Sequence, residues 1–159
     1  MKTHHFKSVL CFVLMLLFSV LSFGQSKAKT VVITLIVDPS ELGDEPNDPK
    51  GLSFFEIDPG ATEVIYKMDP KDFTVTVDKG TKIKWQGITT TGENVRILKI
   101  QYKSGVDTFN DKNIRRCLFG KRVRKTTKRS TGEGYYVYQI KFRPKGKKRF
   151  FLDPKIRVE

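Results

Sequence analysis

The sequence predicts an all-β chain, a two-sheet antiparallel sandwich of about seven or eight strands. Three observations predict it. Segments rich in β-branched and aromatic residues alternate with polar ones, proline, glycine and acidic turns separate them at short intervals, and no stretch of useful length carries helical periodicity.

The first 24 residues read as a signal peptide rather than as part of the fold. Lys2 and Lys7 precede an apolar run from Val9 to Leu21 in which Ser19 is the one polar residue. Ser22 and Gly24 then stand three and one positions before a cut between Gly24 and Gln25, the small-residue pattern a signal peptidase accepts. The alternative, an uncleaved anchor, is disfavoured because the run falls short of the roughly 20 apolar residues that cross a bilayer as a helix. Cys11 lies inside the run, which disfavours a lipoprotein. The expectation is therefore an exported protein, secreted or periplasmic, with residues 25–159 forming a single domain.

Lys29–Val37 is almost continuously apolar or β-branched, as a strand covered on both faces would be. Asp38–Gly51 is a loop, since Pro39, Gly43, Pro46, Pro49 and Gly51 exclude regular structure. Leu52–Ile57 and Glu63–Met68 read as short strands around the Asp58-Pro59-Gly60 turn. Along the next strand Phe73, Val75 and Val77 point to a core, and Thr74, Thr76 and Asp78 to water. After a Lys79-Gly80 turn, Ile83 and Trp85 resume the inward face, which makes Trp85 the expected anchor of the core. Asn94–Lys103 is another strand. Its apolar residues fall on both sides, Val95 and Ile97 against Leu98, Ile100 and Tyr102, so its faces stay unassigned. Ser104–Ser130 is the least regular stretch, with one helical turn expected within Asp111–Phe119. Gly134–Arg143 returns to a clear strand with Tyr136, Tyr138, Ile140 and Phe142 in one row, and the Pro144-Lys145-Gly146 link makes a hairpin with Lys148–Val158.

Two stretches carry a resemblance. FTVTVDKGTKIKWQG, Phe73–Gly87, resembles the cupredoxin-like strand pair, and the terminal YYVYQIKFRP…KKRFFLDPKIRVE resembles the last hairpin of immunoglobulin-like and cupredoxin-like sandwiches. The resemblance implies a sandwich scaffold. It does not imply copper, because a cupredoxin centre needs two histidines beside its cysteine. Here His4 and His5 both fall within the predicted signal peptide.

The same removal empties the catalytic inventory. Beyond residue 24 the chain keeps Cys117 and Met68 and no histidine, so cysteine–histidine and serine–histidine hydrolysis are excluded. A lone cysteine closes no internal disulfide. Cys117 follows two arginines, which favour thiolate, but Leu118 and Phe119 favour a small buried hydrophobe. The acidic loop DPSELGDEPNDPKG lacks the spacing of a calcium loop. No metal site and no cofactor are expected.

What remains is charge. From Asp38 to Asp78 eleven acids face three bases, net −8, whereas from Lys79 to Glu159 twenty-three bases face six acids, net +17. Arg115, Arg116, Lys121, Arg122, Arg124, Lys125, Lys128 and Arg129 form one basic cluster, and Arg143, Lys145, Lys147, Lys148 and Arg149 a second. Such a surface attracts polyanions. The bland alternative is a solvated face, or a patch that docks on the acidic half of another copy. The expected function is a non-enzymatic binding or assembly module whose two clusters contact an anionic partner: an acidic polysaccharide, a lipid headgroup or an acidic protein surface. Nucleic acid is disfavoured for an exported protein. The alternatives are a structural component of an envelope or cell-surface assembly and, less favoured, a small enzyme using Cys117 or carboxylates.

Overall fold

The structure, a computed structural model, describes residues 29–47, 52–57, 63–65, 73–115 and 123–159. The predicted signal peptide with its cut, Met68 and Cys117 lie outside the described residues. Within them the chain is all strand and turn. The strands are β1 Thr30–Val37, β2 Leu52–Ile57, β3 Glu63–Ile65, β4 Thr74–Val77, β5 Lys82–Thr89, β6 Asn94–Gly105, β7 Asn113–Arg115, β8 Val123–Thr126, β9 Tyr136–Arg143, β10 Phe150–Leu152 and β11 Lys155–Val158. The helical turn expected within Asp111–Phe119 is replaced, where described, by β7, whose Ile114 pairs with Ile100.

The predicted two-sheet sandwich is corrected. All the described strands join one hydrogen-bonded sheet in the order β2-β1-β5-β6-β9-β11-β4-β3, with β8 on β5, β7 on β6 and β10 on β9. The sheet curls into a nearly closed barrel. Covalent reach explains the curl. A flat path of eight strands would separate its ends by about 34 Å at ~4.8 Å per strand. Yet β2 and β3, the two ends, are joined by the short link from Ile57 to Glu63, which spans at most about 20 Å.

Nor is the sheet purely antiparallel. β1 runs parallel to β5, with Ile33 beside Trp85, and β11 runs parallel to β4, with Ile156 beside Val75. Parallel neighbours need long connections, and both pairs join segments far apart in the chain. β4 and β5, the pair on which the cupredoxin-like resemblance rested, do not pair with each other at all. The Asp78–Thr81 turn, closed by Thr81 N–H donating to the Asp78 carbonyl at 3.1 Å, is a corner between distant parts of the sheet.

Burial follows the period of two where the sequence shows it. Ile83 and Trp85 on β5 and Tyr136, Tyr138, Ile140 and Phe142 on β9 all point into a single core. Trp85 sits edge-on to both Phe109 and Tyr138, and its indole N–H donates to the Tyr138 hydroxyl oxygen at 3.2 Å. β4 departs from expectation: Thr74 and Thr76, predicted to face water, are buried with their apolar neighbours. β6 resolves the ambiguity of its two apolar sides. A register shift between Ile97 and Lys99 inserts a residue, so Ile97 and Ile100, three apart, both turn inward. Of the expected terminal strand, the first part is β10, paired with β9 as a hairpin. Asp153-Pro154 then breaks it, and β11 inserts between β9 and β4.

Candidate functional site

A turn and a strand start build one cleft. After β9 the chain turns through Pro144–Lys147, closed by Lys147 N–H donating to the Pro144 carbonyl at 3.2 Å. Gly146 takes φ +72° at the third position, a conformation that side-chain-bearing residues avoid. The turn stands beside the first residues of β6 and with them encloses about 550 Å³ lined by Asn94, Val95, Arg96, Arg143, Pro144, Lys145, Gly146 and Lys147. Four of those side chains are cationic and none is a carboxylate.

The basic character continues along the barrel's outer face, where β6, β7, β9 and β10 lie side by side. Antiparallel register sets side chains directly opposite one another, with Cβ atoms about 4.5–5.5 Å apart. Arg96 lies opposite Arg143. In the next outward row Lys99 lies between Arg115 on one side and Lys141 on the other, and Phe151 follows Lys141. The Lys141 ammonium rests 5.3 Å from the Phe151 ring centre. Beyond them come Gln101, Asn113 and Gln139, then Lys103 in a second hollow of about 420 Å³ with Asn47, Gln139, Phe151, Leu152 and Asp153. Among the described residues no carboxylate lies within ion-pair distance of Arg96, Lys99, Arg115, Lys141 or Arg143.

The structure sorts the thirteen cations singled out from sequence. Arg116, Lys121 and Arg122 lie outside the described residues. Arg143, Lys145 and Lys147 converge on the cleft, and Arg115 joins the rows beside it. Arg124 lies opposite Lys84 on a different part of the sheet, while Lys128 and Arg129 are exposed on the segment after β8 and Arg149 just before β10. Two cations are already engaged. Lys125 pairs with Asp111 at 2.7 Å, and Lys148 binds the Asp44 carbonyl while its ammonium stands 3.4 Å from the Asp44 carboxylate. The Lys125 hydrogen bond, reinforced by the Asn113 N–H, holds the Asp111 carboxyl below its usual range.

Sequence reasoning missed Arg96, Lys99, Lys103 and Lys141. The outward phase of Lys141 was legible from the alternation of β9, but the β6 bulge hid that of Lys99. The register that brings them together is a long-range pairing with no local signal.

Comparisons with known proteins bear on the fold. No family model matches the chain and no curated protein matches it. Among solved structures it is similar to the inclusion body protein PixA of Burkholderia cenocepacia, at 12% identity over 85% of this chain and 98% of that one, with a TM-score of 0.55. That likeness concerns the fold. It is to a mostly stranded, near-barrel protein, and it replaces the cupredoxin-like and immunoglobulin-like resemblance drawn from the two sequence stretches.

Among the described residues no three of His, Cys, Asp and Glu come together as metal ligands, and no helix is long and apolar enough to cross a membrane. Tyr136 and Tyr138 are fully buried. Burial, with the Asp107 charge adding for Tyr136, pushes both phenols far above their ordinary pKa, so both stay protonated through the neutral range.

Proposed function

We propose that this chain is a non-catalytic binding module that recognises an anionic partner through the cleft formed by Asn94–Arg96 and Arg143–Lys147. One observation carries the reading: four cations, and no carboxylate among the described residues, line one concavity. A purely solvating charge pattern intersperses the two signs, whereas a concavity lined by one sign concentrates field and counter-ions. In this reading the protein acts outside the cytoplasm, in keeping with the signal peptide expected from its sequence.

The test is retention on immobilised heparin across a salt gradient. The wild type is expected to elute well after an unrelated protein of matched charge, and Arg96→Gln/Arg143→Gln to elute markedly earlier than Lys79→Gln, which removes an exposed charge elsewhere. Elution of the wild type with the matched control refutes the reading.

A second reading is assembly between copies, the acidic segment of one against the basic face of the next. The charge division of the chain favours it, and the similar PixA structure bears the name of an inclusion body protein. Sedimentation at low and high salt separates the two: self-assembly gives salt-sensitive oligomers without any added polyanion.

A further inference from the structure

The cleft by itself would suit a small anion, but the cations do not stop at its rim. From Arg96 to Lys103 the outward side chains of β6 cover about 23 Å at ~3.3 Å per residue. Along that length the basic groups come in rows: Arg96 with Arg143, then Arg115, Lys99 and Lys141 abreast, then Lys103. Directly opposed like charges destabilise a sheet, so these rows cost the fold stability that a mixed-sign surface would not. The row between them, Gln101 with Asn113 and Gln139, is neutral and made entirely of amides, which both donate and accept hydrogen bonds.

We infer that the ligand is a linear acidic polysaccharide lying along the outer face of β6 and β9, with one end in the Arg96/Arg143–Lys147 cleft and its chain running past Lys99, Lys141 and Arg115 to Lys103. The inference rests on the reading of the cleft as an anion site and adds the ligand's class and path. Spaced cationic rows meet acidic groups repeated along a polymer, and the amide row meets the hydroxyls between them. Phe151 flanks the path, where its ring seats the Lys141 ammonium at 5.3 Å and so fixes one cation of the row. Single-stranded nucleic acid fits less well, because binding it relies on successive aromatic platforms for the bases. The outward residues of β6, β7 and β9 along this path include no aromatic side chain. Asp153 lines the same hollow as Lys103 and Gln139, so the purely basic run ends there.

The experiment is calorimetric titration with size-defined heparin oligosaccharides, from disaccharide to decasaccharide, on the wild type, Lys99→Gln/Lys141→Gln and Arg96→Gln/Arg143→Gln. Affinity should climb with chain length and level off once the path is filled. Lys99→Gln/Lys141→Gln should leave disaccharide binding in place while abolishing most of the gain with length, at about fivefold per cation removed, the scale of one basic side chain at an anionic surface. Arg96→Gln/Arg143→Gln should weaken every length. If the disaccharide binds as tightly as the decasaccharide and Lys99→Gln/Lys141→Gln matches the wild type, the path is refuted while the anion cleft stands. If no oligosaccharide binds better than a neutral one of equal length, both fall. If charge-matched single-stranded DNA displaces the decasaccharide at lower concentration than unlabelled decasaccharide does, the polysaccharide assignment is overturned.

Discussion

Replacing Lys99 by glutamine should make the protein more stable, not less. Lys99 is flanked across both strand edges by cations, Arg115 on β7 and Lys141 on β9. Taking the charged ends as about 7 Å apart in a water-like dielectric, each pair costs roughly 0.6 kcal/mol. Two pairs give about 1 kcal/mol, consistent with the range of roughly 0.2–1 kcal/mol per cross-strand pair found in sheets. The substitution also removes the exposed hydrogen bond from the Lys99 ammonium to the Gln101 side-chain oxygen at 3.0 Å, which contributes little. Lys99→Gln should therefore raise the melting temperature by about 2–5 °C in a buffer of low ionic strength. Because the Debye length falls to about 3 Å at 1 M salt, the advantage should vanish there. Lys141→Gln should gain less than Lys99→Gln, since Lys141 faces one cation in its row and gives up its seat on the Phe151 ring. Thermal melts followed by circular dichroism at about 10 mM and 1 M salt decide the matter. A Lys99→Gln protein that melts at or below the wild type at low salt, or whose advantage survives high salt, refutes the like-charge ladder and with it the register of β6 against its neighbours.

Three further outcomes follow from the core and its corners. Trp85→Ala empties the volume between Phe109 and Tyr138 and leaves the Tyr138 hydroxyl without its indole donor; a loss of about 3–5 kcal/mol in chemical denaturation is expected, and Trp85→Phe should lose less. Gly105→Ala drives a Cβ into the Tyr135 carbonyl oxygen at φ +85°, so it should destabilise by at least about 2 kcal/mol, visible as a lowered urea midpoint. Asp111→Asn removes the Lys125 pair and should lower stability at neutral pH. The folded pKa of Asp111 lies below its ordinary 3.8, so the contribution is complete above that value and is lost as pH falls through the folded pKa. The gap between wild type and Asp111→Asn in denaturant melts should hold steady from pH 7 to 5 and close below about pH 4; a gap that widens in acid contradicts the pair.

The sequence carried the elements better than their arrangement. β5 and β9 obey strict alternation, and their inward rows, Trp85 among them, were legible because period two is a local property of one strand. The β9–β10 hairpin was legible because its turn is written in four consecutive residues. The parallel pairings of β1 with β5 and of β4 with β11 left no such trace: each joins segments far apart, and any apolar strand suits either partner. That is why FTVTVDKGTKIKWQG resembles a strand pair in the sequence and is a corner in the structure. At the candidate site the same division holds. Arg143, Lys145 and Lys147 stood out as a dense run, whereas Arg96 and Lys99 are single bases in an apolar-looking strand whose bulge disguises which face they occupy.

The coupling between those two levels separates a contact surface from an accident of composition. The barrel interior is one continuous apolar cluster, so nothing inside requires cations opposite cations on the outer face; alternating signs would serve the same strands at lower energy. A surface retained only for solubility gains nothing from aligning its charges in rows, because net charge does not depend on register. Alignment matters to a ligand that touches several rows at once. Lys99→Gln is consequently the decisive variant, since the polyanion path requires one substitution to strengthen the fold and weaken binding to long oligosaccharides together. A solvating face predicts the first change without the second. A Lys99→Gln protein that melts higher and still gains affinity with chain length as the wild type does would show that the charges are aligned without being used.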